Sequence, residues 1–220
     1  EAVTKIAEFE KVDLITTACT DQALLSMAEV SEKLNLPCYL TLKTAKNVTN
    51  KSLMKTIMEN NNIPTAKYRI VENVELNNLN ELAFPLVVKP VDCNSSKGVR
   101  KVNSAMELSK SINDAIQLSR TKTAVVEEFK SGKEISVDAY VSNGISNVLL
   151  MTESVKIKNS NGFTITQSVY PVNIAKSAKK KIEIIAQRIA DVFNIKDSPL
   201  LIQFIVNDDE VFVLEFSARM

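Results

Sequence analysis

Apolar residues recur along the chain at two different spacings, and together these spacings predict a fold that mixes helices and strands. A spacing of three and four residues, typical of a helix with one buried face, appears at residues 53–58 and 182–192. Strict alternation appears at 134–141, where Ile, Val, Ala and Val alternate with more polar side chains. Such alternation is typical of an antiparallel strand with one face covered by the core.

Shorter signals of the same kind predict the remaining elements. Ser104 and Glu107 form a capping-box pattern at the start of another helix, which has Leu108 and Ile112 on one side. Further strands are predicted near 68–72, 86–90, 99–102 and 124–129, within 145–169, and in a final hairpin of Leu200–Val206 and Val211–Phe216.

The beginning of the chain has a different organisation. Val12–Thr17 and Leu36–Leu40 have the composition of strands, and they flank a helix for which Thr20 is a candidate N-cap. Strand, helix and strand in this order form a βαβ unit, which is the building block of a parallel sheet.

Loop composition at residues 47–50 marks a domain boundary after this unit. We therefore expect the end of a parallel-sheet domain at 1–47 and a second domain at 48–220. The predicted fold class is α+β (α/β). We also expect the opening half of the first domain to lie before Glu1, so that the chain is a piece of a longer protein or a split gene product.

Composition excludes several classes of function. With 220 residues, 45% of them hydrophobic, the chain can bury a sizeable core, and its net charge of +1 gives no field that would attract nucleic acid or a membrane surface. No apolar run approaches the roughly 20 residues that a membrane-spanning helix needs. Cys19, Cys38 and Cys93 have no paired spacing, which favours reduced thiols in a cytoplasmic protein.

Histidine is absent from the chain. Its absence excludes Ser-His and Cys-His nucleophile systems and histidine metal ligands. Any bound metal is expected to be a hard, oxygen-liganded ion such as Mg²⁺. Catalysis would then depend on lysine, arginine, carboxylates and backbone donors.

A candidate phosphate site lies in the segment Phe84–Val99. Its apolar strand carries Lys89 near its end, and a buried strand normally excludes an ammonium group unless an anion lies nearby. The following loop, Asn94–Gly98, offers backbone N–H groups, two hydroxyls and a second lysine, which suit a phosphate. The alternative is a surface strand that ends in an ordinary lysine.

A second candidate feature is the corner after the strand at 124–129. A linker between two subdomains exposes alternating N–H and C=O groups that can bind the edge of an adenine. Glu134, seven residues after Glu127, would then lie near the sugar hydroxyls. A charged hairpin without a ligand is the alternative explanation.

The last hairpin carries polar residues inside apolar strands. Gln203 and Glu215 each interrupt a buried run, and alternation places Glu215, Ser217 and Arg219 on one face, nearly opposite Gln203. A buried carboxylate is costly unless it is paired or binds a metal. Oxygen ligands beside a guanidinium suit Mg²⁺ and the phosphates that it bridges. A structural Glu–Arg pair is the alternative.

In this order, the motifs resemble the ATP-grasp superfamily, and within it the branch of the carbamoyl-phosphate synthase large subunit and the amino-acid ligases. The matching pieces are Asn50-Lys51 before a helix, Val-Val-Lys-Pro with its serine and glycine loop, Glu-Glu-Phe with Gly-Lys-Glu, and Gln with Glu-Phe-Ser-Ala-Arg. The resemblance implies an ATP-grasp fold of two α+β subdomains at 48–220, truncated at its C-terminus. It also implies that residues 1–47 end a Rossmann-like domain.

The resemblance further implies a role for each matching residue. Lys51 and Lys89 would hold the phosphates of ATP, and the mobile loop Ser95, Ser96, Lys97 and Gly98 would close over them. The adenine would contact Glu127 through its amino group. The rest of the nucleotide site would consist of Glu128, Phe129, Lys130 and Leu214 around the purine and Glu134 at the ribose.

The remaining implied roles concern metal and catalysis. Gln203, Glu215 and Ser217 would lie at Mg²⁺, for which Mn²⁺ is an alternative. Arg219 would contact phosphate or the acyl-phosphate intermediate and, with Lys89, would be catalytic. All these side chains must converge on one cleft between two lobes.

Two positions depart from the family pattern, and both bear on activity. Ser217 stands where the family usually has asparagine, and Gly98 is the only glycine of the loop. The resemblance implies an ATP- and Mg²⁺-dependent ligase that joins a carboxylate to an amine, both small molecules. A nucleotide-binding module without turnover, and a carbamoyl-phosphate or purine-pathway ligase, are the alternatives. A homodimer or a larger multi-subunit synthase is the expected assembly.

Overall fold

The computed structural model describes residues 1–18, 20–74, 79–157 and 163–219. Cys19 and Met220 lie outside these residues. Within them the chain forms helices α1 (Ala2–Glu10), α2 (Asp21–Leu34), α3 (Leu42–Thr49), α4 (Lys51–Asn60), α5 (Ala105–Leu118) and α6 (Lys176–Val192). The strands are β1 (Tyr68–Val71), β2 (Leu86–Pro90), β3 (Arg100–Val102), β4 (Ala124–Glu128), β5 (Lys133–Ser142), β6 (Ile145–Lys156), β7 (Ile165–Val169), β8 (Ser198–Asn207) and β9 (Glu210–Ser217).

The strands form two antiparallel sheets. The smaller sheet has the order β1-β4-β2-β3, and α5 packs on it through Leu108, Ile112 and Ala115. The larger sheet has the order β7-β6-β5-β8-β9 and is covered by α6. Each sheet has its own apolar cluster because each buries one face against a helix. The two predicted α+β subdomains are therefore present.

Most predicted elements agree with the structure. The strand pattern at 134–141 buries Ile135, Val137, Ala139 and Val141, as expected for one covered face. The helix predicted to open at Ser104 is confirmed, since α5 begins at Ala105 with Ser104 as its N-cap residue. The Ser104 side chain makes no capping hydrogen bond, however, and Glu107 accepts from the backbone N–H of Asn103 instead.

The two strands predicted near the start of the chain are also wrong. Neither 12–17 nor 36–40 forms a strand in the part of the chain that the structure describes. A strand needs a hydrogen-bonded neighbour, and the described residues supply none there, so β-favouring composition alone does not produce one. The structure consequently gives no support for a βαβ unit or a Rossmann-like sheet in this segment.

The predicted loop at 47–50 is wrong for residues 47–49, which belong to α3. Asn50 alone separates α3 from α4, and its side-chain oxygen caps α4 by accepting from the N–H groups of Ser52 and Leu53. Leu24 and Met54, on either side of the predicted boundary, share one apolar cluster. The division at residue 47 stays a prediction.

Two further features are the state of the cysteines and the apolar character of the helices. Cys38 and Cys93 are free, partly buried thiols. Across the described ranges, no helix combines the length and apolar character that crossing a bilayer requires.

Candidate active site

A cavity of about 780 Å³ lies between the two sheets, within the size range of small-molecule sites. Strands β2, β3 and β4 of the smaller sheet form one wall, and strands β5, β6, β8 and β9 of the larger sheet form the other. Its lining combines apolar side chains such as Val87 and Ile205 with several charged groups.

Most of the predicted site residues line this one cavity. They are Lys51, Lys89, Ser95, Ser96, Glu127, Glu128, Phe129, Lys130, Glu134, Gln203, Leu214, Glu215 and Arg219. Lys97 lines an adjacent hollow of about 380 Å³ instead, Ser217 lines a small neighbouring recess, and Gly98 lines none of the three. The predicted convergence between two lobes is therefore found, although what each residue would bind stays a prediction.

The floor of the cavity carries a buried trio of charges. Glu127 on β4 places its Oε1 2.6 Å from the Lys89 Nζ on β2 and its Oε2 2.6 Å from the Lys55 Nζ on α4. All three side chains are at least nine-tenths buried. Because β2 pairs with β4 in the sheet, the strand order itself brings Lys89 beside Glu127.

The trio shifts the pKa of each of its members. Burial opposes the ionised form of Glu127, but the Lys55 and Lys89 ammonium groups outweigh it and lower the pKa of this carboxyl to about 2. Burial lowers the pKa of Lys55. For Lys89, burial is outweighed by the attraction of Glu127 and Glu215, which raises its pKa. Glu127 and Glu215 attract both lysines. Lys55 is also opposed by the charge of Lys89, whereas Lys89 is also attracted by Glu134.

The corner after β4 contains the predicted purine contacts. Glu128 binds the Lys130 ammonium at 3.2 Å and accepts a hydrogen bond from the Ala83 N–H, and these contacts outweigh burial and lower its pKa. The Phe129 ring lies under the Lys101 ammonium, 3.6 Å from the ring centroid. Since both oxygens of Glu127 already contact ammonium groups, its predicted contact with an adenine amino group stays a prediction.

Glu134, the predicted ribose ligand, lies on β5 and is buried. Its Oε2 forms an ion pair with Lys156 of β6, and its Oε1 accepts a long hydrogen bond of 3.5 Å from the Gln203 side chain. The charged hairpin considered as an alternative would leave this carboxylate in solvent, whereas the structure directs it into the cavity.

The residues predicted at Mg²⁺ meet across the last hairpin. Gln203 on β8 is directly opposite Glu215 on β9, as the alternation predicts. Glu215 forms an ion pair of 3.2 Å with Lys51, whose Nζ also donates to the Cys93 carbonyl at 2.8 Å. This places the first predicted phosphate-binding lysine beside the predicted metal ligand.

The oxygen donors at the cavity wall indicate how a metal could be held. No group of three or more Cys, Asp or Glu residues that could hold a metal occurs among the described residues. Glu215 and Gln203 nevertheless supply one carboxylate and one amide oxygen at the cavity wall. Mg²⁺ is commonly held by one or two carboxylates together with substrate phosphates, so this pair fits a metal bound jointly with a nucleotide.

The end of β9 binds a residue that the sequence did not single out. Asp21, the first residue of α2, accepts from Arg219 at two points, with its Oδ1 2.5 Å from Nε and its Oδ2 3.1 Å from a terminal nitrogen. The Ser217 hydroxyl also donates to Asp21. The carboxylate partner of Arg219 thus comes from the N-terminal segment, as a bidentate pair.

The loop between β2 and β3 turns through left-handed backbone. Ser95, Ser96 and Gly98 have φ values of 54°, 57° and 75°. The Lys97 N–H donates to the Asn94 carbonyl and the Val99 N–H to the Ser96 carbonyl, each at 3.1 Å, so these two backbone donors are used within the loop. Gly98 is also closely packed, because a Cβ there would lie 2.6 Å from Leu118 Cδ1 and 2.9 Å from Pro90 Cγ.

This packing makes Gly98→Ala a test of the loop. We expect the variant to lose about 1–2 kcal/mol of unfolding free energy and to bind nucleotide more weakly, because the added methyl must displace Leu118 or Pro90. Gly144→Ala is the matched control, since its φ of 78° carries the same backbone penalty but nothing lies within 4 Å of the added atom. Urea denaturation of both variants measures the difference; equal losses would show that the loop is not sterically constrained.

Comparison with known proteins decides the family. The family model described as an ATP-grasp domain matches residues 82–220. That match includes most of both sheets and more than half of the chain. The chain belongs to the ATP-grasp family. The predicted superfamily is thereby confirmed.

Individual relatives agree with this membership. The carbamoyl phosphate synthase large chain of Thermoanaerobacter sp. (strain X514) is 29% identical over 144 residues, which are 63% of this chain. The chain spans only 13% of that relative's length. Members of the ATP-grasp family use ATP together with a divalent metal.

Solved structures confirm the ATP-grasp fold. L-amino acid ligase from Bacillus licheniformis superposes with a TM-score of 0.82 at 24% identity, covering 99% of this chain and 52% of the ligase. Biotin carboxylase from Campylobacter jejuni, solved as a β-γ-ATP complex, superposes with a TM-score of 0.84 at 16% identity, covering 100% of this chain and 51% of that enzyme. At these identities the likeness concerns the fold alone.

Several residues of this candidate site were missed by sequence reasoning. Lys55 lies four residues after Lys51, among the buried Met54 and Met58, and a lysine on the apolar side of a helix was a visible signal. Asp21 offered no such signal, since an acidic residue in the first turn of a helix is favourable without any ligand. Lys156 likewise gave no signal, because a lysine is common at the end of a strand.

Proposed function

We propose that this chain forms the nucleotide-binding part of an ATP- and Mg²⁺-dependent ligase, which joins a carboxylate to an amine through an acyl phosphate. One observation carries the proposal. Lys51, Lys89, Gln203, Glu215 and Arg219, from distant parts of the chain, all line the same cavity of about 780 Å³. Membership of the ATP-grasp family and the carbamoyl phosphate synthase relatives support it.

In the proposed first step, a carboxylate oxygen of the substrate attacks the γ-phosphorus of ATP. The bond from that phosphorus to the bridging oxygen breaks, so ADP leaves and an acyl phosphate remains. Such transfer needs little covalent chemistry from the protein, and rate comes from alignment and charge neutralisation. Lys89 and Lys51 would hold the phosphate oxygens, and Arg219 would orient the transferred group.

In the proposed second step, the amine nitrogen attacks the acyl carbon. The carbon–oxygen bond to phosphate breaks, phosphate leaves, and the amine loses a proton as the amide forms. A divalent metal held by Glu215 and Gln203 would supply further positive charge to the phosphates. The apolar lining at Val87, Ile205 and Leu214 would enclose the base and keep water out.

The test is a direct assay of phosphate release. The protein is incubated with Mg-ATP and pools of amino acids or small carboxylates with an amine donor, and pools without a donor are the control. We expect donor-dependent phosphate and ADP from at least one pool. ATP binding detected by calorimetry, with no ADP from any pool, would reject the ligase.

A second candidate function is a nucleotide-binding module without turnover. The contact of Asp21 with Ser217 and Arg219 favours it, because two predicted site residues are already engaged by a carboxylate of the chain. This candidate predicts thermal stabilisation by ATP without ADP formation. Assembly as a homodimer or within a larger synthase, and a cytoplasmic location, stay predictions.

A further inference from the structure

The buried trio contains one lysine that faces the cavity and one that does not. Lys89 and Glu127 line the cavity, whereas Lys55 lies behind Glu127 with only 1% of its side chain exposed. The Lys55 ammonium contacts Glu127 Oε2 at 2.6 Å and Thr65 Oγ1 at 2.7 Å. Nothing in the proposed chemistry uses Lys55 directly, so its burial needs a separate explanation.

The net charge of the trio explains why Lys55 is buried there. Two ammonium groups and one carboxylate leave a net charge of +1 at the cavity floor. Without Lys55, Glu127 and Lys89 would form a neutral pair at 2.6 Å and would attract an anion only weakly. We propose that Lys55 is a positioning residue that compensates the charge of Glu127, so that Lys89 presents its full positive charge to nucleotide phosphates. This inference rests on the proposed function.

The contacts within the trio support different roles for its two lysines. Each oxygen of Glu127 contacts a different lysine, so the carboxylate is held from both sides. Lys55 is itself anchored, because Thr65, which accepts from it, donates to the Val213 carbonyl of β9 at 2.9 Å. Lys55 therefore connects α4 to both walls of the cavity, and its ammonium cannot turn toward a ligand.

The protonation states agree with this role. With a pKa of about 2, Glu127 is ionised at neutral pH and requires a compensating cation in its buried position. The pKa of Lys55 is lowered by burial, against the attraction of Glu127, and that of Lys89 is raised. As pH rises, Lys55 therefore loses its proton before Lys89 does.

The experiment compares Lys55→Met, Lys55→Arg and the double variant Lys55→Met with Glu127→Gln. Calorimetry measures the Kd of ATP and of inorganic tripolyphosphate, which lacks the base. We expect the Kd of both ligands to rise roughly tenfold in K55M, the size expected for one poorly screened charge, and to stay near wild type in K55R. For tripolyphosphate, which makes no purine contact, the Kd of the double variant should return to within about threefold of wild type, because the net charge at the cavity floor is again +1.

Lys180→Met is the matched control, since it removes the same charge from an exposed position on α6 and should leave both Kd values unchanged. A pH series adds a second readout. Wild-type affinity should fall as pH rises through the lowered pKa of Lys55, and K55R should hold its affinity to higher pH because arginine stays protonated.

The outcomes separate this inference from the proposed function. Wild-type protein that binds neither ATP nor tripolyphosphate would overturn both. Wild-type binding with an unchanged Kd in K55M, or with no recovery of tripolyphosphate binding in the double variant, would overturn only the role of Lys55. If K55M alone does not fold, the double variant decides: near wild-type affinity for tripolyphosphate supports the role, and tenfold weaker binding rejects it.

Discussion

Lys89→Met is expected to lower phosphate release from Mg-ATP by about a hundredfold or more, the loss typical of removing a preorganised donor from an active site. The Lys89 ammonium lines the cavity and is the cavity-facing partner of Glu127. Its loss also leaves one oxygen of Glu127 without its ammonium partner, which should lower the free energy of unfolding by about 1–3 kcal/mol. Initial rates of phosphate release and urea denaturation measure the two effects.

The triple variant Lys55→Met, Lys89→Met and Glu127→Gln separates catalysis from stability. Removing the whole trio should recover much of the lost unfolding free energy, since no charge then stays buried at the cavity floor without its partner. It should not recover phosphate release, because the cation for the phosphates is still missing. Recovery of both would show that Lys89 is needed only for folding.

Acid should destabilise the protein largely through Glu127. Its folded pKa of about 2, against an ordinary value of 4.5, favours the folded state wherever the unfolded carboxyl is ionised. A lowered folded pKa gives stability that is fully present above about pH 5 and is lost as pH falls toward 2. The difference between the folded and the ordinary pKa of Glu127 corresponds to about 3 kcal/mol of unfolding free energy.

Chemical denaturation between pH 6 and the acid limit of folding measures this slope, and Glu127→Gln is the comparison. Glutamine does not titrate, so the variant should lose less stability between pH 5 and its acid limit, although it begins from a lower value. Parallel pH profiles for the two proteins would show that other carboxylates cause the acid sensitivity.

The site was largely predictable because its residues break local patterns. Lys89 at the end of an apolar strand is expensive to bury without a partner. Gln203 and Glu215 interrupt apolar strands, and both are partly exposed at the cavity wall. The register of the last hairpin followed from period-two alternation, and Gln203 does pair with Glu215. These signals depend only on near neighbours along the chain.

Partners were not predictable, because contact between remote segments leaves no mark in local composition. Asp21 contacts Ser217 and Arg219 although nearly the whole chain separates them in sequence. Lys55 on α4 likewise contacts Glu127 on the distant strand β4. The prediction of strands at 12–17 and 36–40 was wrong for the same reason, because a strand forms by hydrogen bonding to a neighbouring strand and not by composition alone.

The α+β class, the ATP-grasp family and the order of the candidate phosphate, purine and metal segments could all be predicted from the sequence. The packing of α4 against β2 and β4 was needed to reveal that two lysines share one buried carboxylate at the cavity floor. Periodicity reports which side of an element is buried, whereas the net charge of a cavity depends on which elements pack together.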